Sequence, residues 1–135
     1  MSGVPTRPPA LPLRSVLFAA GSDPEDLVRA YGSGADALIV DLEEPQTPMT
    51  EAVRVRARSI VAEFLDGCPA ADGDGRAPLL FCRVQPARTG GLWKDLQACL
   101  RPALTGVAIP KSYGPHDIVA ADAVAAAVAD VRHVR

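Results

Sequence analysis

The stretch DALIVDLEEP (36–45) begins as an apolar strand and ends in acid. Ala37, Leu38, Ile39 and Val40 are followed by Asp41, Glu43 and Glu44, so carboxylates stand at the mouth of a core strand. Arg83 stands next to the end of the apolar run PLLFCRV (78–84), Gln85 follows the run, and Lys111 closes TGVAIPK (105–111). Acids, a guanidinium and an ammonium brought to one place suit a carboxylate substrate and a divalent cation. A guanidinium grips a carboxylate through two parallel hydrogen bonds, and acids beside a metal hold its coordinated waters. Plainer readings stand beside this one. Asp41 and Glu43 can pair with Arg83 or Lys111 as a structural ion network, Glu44 can be a solvated loop charge, and Lys111 an ordinary surface lysine. Arg83 is harder to dismiss, because an unpaired charge at the end of a buried strand is costly.

The surrounding sequence alternates strand-like and helix-like segments. SVLFAAG (15–21) reads as a first strand ending at Gly21. SDPEDLVRAYGSG (22–34) reads as a helix in which Ser22 caps, Glu25 completes a capping box and Gly32 or Gly34 closes. DALIVDL (36–42) is the second strand. TEAVRVRARSIVAEFL (50–65) places Val53, Ala57, Ile60, Val61 and Phe64 on one helical stripe, with Glu51, Arg54 and Arg58 off it. DGCPAADGDGRA (66–77) is a loop by composition. Strand three spans 78–84, and GGLWKDLQACL (90–100) is a helix with Leu92, Leu96, Cys99 and Leu100 on one face. Strand four spans 105–111, and the Ala-rich segment 114–131 is a helix with Pro115 in its first turn.

Four successive βα units argue for an α/β fold with a parallel sheet. Ligands then bind at the C-terminal ends of the strands. Those ends offer Gly21 and Ser22, then Asp41, Glu43 and Glu44, then Arg83 and Gln85, then Lys111. A closed (β/α)8 barrel takes eight units and about 250 residues, so the chain reads as an open four-stranded sheet or as half of a barrel.

Bulk composition narrows the rest. The net charge of −2 gives no electrostatic case for nucleic acid. No apolar run approaches the roughly 20 residues of a membrane helix. Residues 1–13 read as a Pro-rich extended tail ahead of a domain over 14–135. Cys68, Cys82 and Cys99 are an odd set without metal-ligand spacing, with Cys82 and Cys99 expected as small core residues. A reducing cytoplasm fits them. His116 and His133 read as solvent-facing, and Trp93 as core or an oligomer contact.

Taken together, RSVLFAAGSDPEDLVRAYGSGADALIVDLEEP (14–45), FCRVQP (81–86) and GVAIPK (106–111) resemble the HpcH/HpaI aldolase and citrate lyase beta-subunit family. The usual forms there are RSxLFxPG, GADAxxxDLED, RVN or RIN, and LPK. The resemblance implies the first four units of a (β/α)8 TIM barrel that works as a Mg2+-dependent carbon–carbon lyase. Its substrates would be hydroxy acids or acyl-CoA thioesters, cleaved through a metal-stabilised enolate. Arg83 matches the arginine that contacts the substrate carboxylate or enolate oxygen, with Lys111 beside it as a substrate-binding residue. Asp41 and Glu43 match acids near the metal's waters. The family's direct metal ligands, a Glu and an Asp, would lie beyond Arg135, so the resemblance gives this chain no metal ligand of its own. A homo-oligomer is implied for a full-length protein, with no nucleic-acid or membrane partner. Departures mark a divergent subgroup: Glu44 for Asp, Gln85 for Asn, Ala20 for Pro, PQTPMTEA (45–52) for the common AVxPxxK pattern, and Tyr113 where many members carry Glu.

On this reading the isolated chain is expected to be inactive, as a truncated or frameshifted product or a half that needs a partner. A non-catalytic remnant is the main rival. A dinucleotide-binding module is disfavoured, since AAGSDPE (19–25) has one glycine where the phosphate fingerprint needs three. A phosphoacceptor receiver domain is disfavoured too, since its acid pair belongs at the end of strand one.

Overall fold

The computed structural model describes residues 13–43, 49–70 and 77–132. The elements alternate as read: β1 (Val16–Ala20), α1 (Pro24–Tyr31), β2 (Ala37–Asp41), α2 (Glu51–Asp66), β3 (Leu79–Arg83), α3 (Gly91–Cys99), β4 (Gly106–Ala108) and α4 (Pro115–Arg132). The strands form one parallel sheet in the order β1-β2-β3-β4. Each crossover carries one helix, as parallel neighbours require. The expected tail over 1–13 lies outside the described residues except for Leu13, as do Glu44, His133 and residues 71–76 of the loop between α2 and β3.

The two faces of the sheet differ. On one, Ala19, Leu38, Val40, Leu80, Cys82 and Val84 are at most 2% exposed and pack with Leu27, Val61, Leu65, Leu96, Cys99 and Val128 from the helices. Burying each large aliphatic side chain adds about 1.5–3 kcal/mol relative to exposure. The alternate residues turn to the other face. They form rows across the sheet: Val16, Ala37 and Leu79; then Phe18, Ile39, Phe81 and Gly106; then Ala20, Asp41, Arg83 and Ala108. That face holds apolar rows along the strands and a charged row at their C-terminal ends.

Some local expectations are corrected. The N-cap of α1 is Asp23, not Ser22: its carboxylate accepts from the backbone N–H groups of Glu25 and Asp26 at 3.0 and 3.1 Å. With Pro24 in the first turn, the helix starts one residue later, and Asp is as good a cap as Ser. Gly32 closes α1, and Gly34 takes the left-handed turn at φ 82° that leads into β2. On α2 the buried set is Ala57, Arg58, Val61 and Leu65. Val53 is exposed and Arg58 is buried, because α2 packs beside α3, which supplies a carboxylate for Arg58. Trp93 is 41% exposed, so it is not core. β4 has only three residues, and the chain leaves the sheet before Lys111.

Cys82 and Cys99 are fully buried and unbonded by disulfide, as expected. A hydrogen bond with Cys99, then burial, pushes the Cys82 thiol well above its usual range, so it is not a poised nucleophile.

Candidate functional site

In-register pairing of β2 with β3 sets Asp41 beside Arg83 at the ends of their strands. Arg83 Nε donates to Asp41 Oδ1 at 2.9 Å and Nη2 donates to Oδ2 at 2.7 Å, a bidentate pair. That hydrogen bonding raises the guanidinium pKa further, so Arg83 stays charged. The ladder continues past the strands and fixes their ends: Gly21 N–H donates to Asp41 O at 2.9 Å and Leu42 N–H to Arg83 O at 2.8 Å. A Cβ on Gly21 would sit 2.7 Å from Asp41 O, so only glycine allows this approach.

Glu43 joins from the loop after β2. Its backbone N–H donates to Asp41 Oδ1 at 3.0 Å, which folds the loop back. Its side chain is 8% exposed, with Oε2 3.3 Å from Arg83 Nε. Lys111 Nζ stands 3.0 Å from the buried Oε1, close enough for an ion pair but without a directed hydrogen bond. Lys111 has φ 50°, a left-handed conformation costing a non-glycine residue about 1–2 kcal/mol. Two cations and two anions thus meet on one rim, and the guanidinium carbon of Arg83 lies 4.8 Å from the centre of the Phe18 ring.

All four candidate residues, Asp41, Glu43, Arg83 and Lys111, come together. The ion network considered for them is present, with Arg83 as its hub. Gln85 is buried behind the rim, where its Nε2 donates to Leu42 O at 2.8 Å. Ser22 is exposed at the end of β1. His116 is exposed, as expected, and lies 2.7 Å from Arg88 Nη2, while Arg88 Nε donates to the buried Asp117 at 3.1 Å. Asp117 is held below the usual carboxylate range, first by the Tyr113 backbone N–H and then by Arg88.

Sequence reasoning missed the buried pair under the rim. Arg58 Nε donates to Asp95 Oδ1 at 2.7 Å, and Asp95 Oδ2 accepts the Gln85 backbone N–H at 2.7 Å. Asp95 is 1% exposed, and burial pushes its carboxyl upward against the opposing pull of Arg58. A signal was available: Asp95 falls on the stripe of Leu92, Leu96 and Cys99. A carboxylate on a buried stripe calls for a buried cation or N–H donor.

Comparison with known proteins follows the same lines. The model of the HpcH/HpaI aldolase/citrate lyase family matches residues 14–134. A citrate lyase subunit beta-like protein of Deinococcus radiodurans is 37% identical over 106 residues, covering 77% of this chain and 34% of that protein. The L-malyl-CoA/beta-methylmalyl-CoA lyase of Cereibacter sphaeroides is 31% identical over 124 residues, covering 90% of this chain and 36% of that protein. The chain therefore spans about a third of the length of these curated relatives. Among solved structures, the Mycobacterium tuberculosis protein CitE with magnesium, acetoacetate and coenzyme A matches with a TM-score of 0.59 at 25% identity, over 78% of this chain and 35% of that one. A citrate lyase beta subunit from M. tuberculosis with oxaloacetate and magnesium matches with a TM-score of 0.58 at 26% identity, over 77% and 41%. The sheet and its helices correspond to the N-terminal part of these TIM-barrel-like structures.

Proposed function

The chain belongs to the HpcH/HpaI aldolase/citrate lyase family, and on that premise we propose that it carries the substrate-gripping side of a carbon–carbon lyase. The reaction is retro-aldol or retro-Claisen cleavage of a hydroxy acid or an acyl-CoA thioester through an enolate. One observation carries this reading: a guanidinium fixed by two short bonds to Asp41 at the C-terminal rim of a parallel sheet. Rims of this kind bind ligands in α/β folds.

Each residue has a distinct task in this account. Asp41 orients Arg83 through Nε and Nη2, which leaves Nη1 without a partner among the described residues. Nη1 is the donor offered to a substrate carboxylate or to the oxygen that gains charge as the bond breaks. A donor already aimed at developing charge needs no reorganisation during the reaction. Glu43 braces Arg83 and restrains Lys111, whose exposed ammonium adds a second positive charge for an anionic substrate. Phe18 covers one face of the guanidinium.

Magnesium is proposed for the parent reaction because the M. tuberculosis structures hold it. The described residues contain no group of three His, Cys, Asp or Glu able to hold a metal, and both Asp41 oxygens already bind Arg83. The residues present do not fit a metal's own ligand set, so no step here runs through the ion. Residues 14–135 are proposed as one partial barrel domain working in the cytoplasm, with homo-oligomers for a full-length protein. Among the described residues no helix is long and apolar enough to cross a membrane.

The test is cleavage of malyl-CoA by the purified chain with Mg2+, followed as the glyoxylate released alongside acetyl-CoA. In a version that turns over, Arg83→Ala is expected to lower kcat by roughly 10²–10³, the scale for losing one preorganised charge stabiliser. An unchanged rate overturns the assignment.

A further inference from the structure

Between the first turns of α2 and the turn that leads into α3 lies a cleft of about 380 Å3. Glu51, Arg54, Arg58, Thr89, Gly90 and Lys94 are among the residues that line it. Cations from two helices meet there with one acid. The sequence spreads these residues over separate elements, and packing of α2 beside α3 brings them to one place.

Two observations point to an anionic ligand. The first is the bare start of α3. Its N-cap, Gly90, makes no side-chain capping bond, so the N–H groups of the first turn have no side-chain acceptor. A Cβ on Gly90 would meet nothing within 4 Å, so the space beside this end is open. The second is Arg58, whose side chain is only 10% exposed. Its Nε donates to Asp95 Oδ1 at 2.7 Å and its Nη1 to Glu51 Oε1 at 3.4 Å. Nη2 has no acceptor among the described residues, although a guanidinium donates from every nitrogen. Leaving a buried donor unsatisfied is costly, and because Arg58 lines the cleft, a ligand there can supply the acceptor.

Glu51 shows what charge the cleft favours. Lys94 Nζ donates to its Oε1 at 2.9 Å, on the same oxygen that Arg58 reaches. Lys94 first, then Arg58, hold the Glu51 carboxyl below its usual range. Its side chain is 60% exposed, so it can swing out when a stronger acceptor arrives.

We propose that this cleft binds a phosphoryl group, as inorganic phosphate or as a phosphate monoester, with Glu51 displaced. Lys94 Nζ, Arg58 Nη2 and the first-turn N–H groups of α3 would be its donors. A tetrahedral anion accepts from several directions at once, which suits an ammonium, a guanidinium and a helix start around one point. The cleft is larger than a bare phosphate needs, so the rest of a monoester can follow it in. Every lining residue falls between 51 and 94, so neighbouring elements of the chain build the cleft by themselves. None of them is Asp41, Glu43, Arg83 or Lys111, so the proposal goes beyond the lyase reading and does not need it.

The test is titration of the folded, isotope-labelled chain with inorganic phosphate, and separately with glycerol 3-phosphate, at constant ionic strength. Saturable shifts of the Gly90 and Gly91 amide signals are expected. The tighter binder of the two identifies the ligand as the monoester or the free ion. Lys94→Gln is expected to weaken binding about fivefold or more, and Glu51→Gln to tighten it about threefold, the scale for one partly exposed charge. Lys94 and Glu51 are 56% and 60% exposed, so both variants are expected to fold. The absence of saturable shifts at Gly90 and Gly91, shifts confined to the Arg83 rim, unchanged affinity in Lys94→Gln, or weaker binding in Glu51→Gln overturns the proposal.

Discussion

Asp41 and Arg83 are register partners on adjacent parallel strands, and their side chains meet in two bonds of 2.9 and 2.7 Å. The pairing follows from backbone register, not from loop conformation. A slip of one residue would turn one of the two to the opposite face. The pair therefore depends on the same ladder that builds the core.

Asp41→Asn keeps the shape and removes the charge. Arg83 then loses its charged partner while Glu43 and Lys111 remain. The expected cost is about 1–3 kcal/mol, the range for leaving a largely buried polar group poorly satisfied. Urea unfolding should show the lower midpoint with an unchanged m-value. A midpoint equal to wild type would mean that Asp41 does not hold Arg83 in solution.

The Arg58–Asp95–Gln85 chain makes a sharper prediction. Asp95→Ala leaves the buried Arg58 with only its longer 3.4 Å contact to the exposed Glu51 and orphans the Gln85 N–H, so a loss of about 3–5 kcal/mol is expected. The double variant Arg58→Met/Asp95→Leu removes both charges together and should recover part of that loss in thermal melts. Equal or greater destabilisation by the double variant would contradict the account.

Asp36 sets an acid limb. Its carboxylate accepts from the Arg14 side chain at 2.9 Å and from the Arg14 and Ser15 backbone N–H groups at 2.7 and 3.0 Å. These bonds, the Arg14 side chain first, hold it far below its usual range. Because the folded pKa lies below the unfolded value of about 3.9, its stabilising contribution is complete above roughly pH 4. It is lost as the pH falls through the lower folded value. The gap in Tm between wild type and Asp36→Asn should hold steady from about pH 7 to about pH 5 and shrink below about pH 4. A gap that widens in acid would reverse the sign and refute this.

The alternation of strands and helices was legible because apolar runs such as ALIV (37–40) and LLFC (79–82) end in turn residues or charge. The convergence of Asp41, Glu43, Arg83 and Lys111 was legible for a related reason: parallel strands collect their C-terminal residues on one rim. Arg58 and Asp95 were not. Arg58 lies off the apolar stripe of its helix, and Asp95, although it falls on the stripe of Leu92, Leu96 and Cys99, does not name its partner; packing of α2 on α3 brings the two charges together. Asp23 was passed over as cap because Ser22 and Glu25 form a plausible capping box. The choice between them turns on where Pro24 fixes the first helical φ. The fourth strand was read over 105–111 and pairs only over Gly106–Ala108, since Ile109 and Pro110 continue the apolar run after the ladder has ended.

The most direct measurement is calorimetric titration of oxaloacetate into the folded chain and into its Arg83→Ala variant. The account predicts saturable binding to the wild-type chain and binding at least about tenfold weaker in the variant, equal to about 1.4 kcal/mol or more. Equal affinity in the two proteins, or no binding to a wild-type chain shown to be folded, would contradict the assignment of Arg83 as the carboxylate grip.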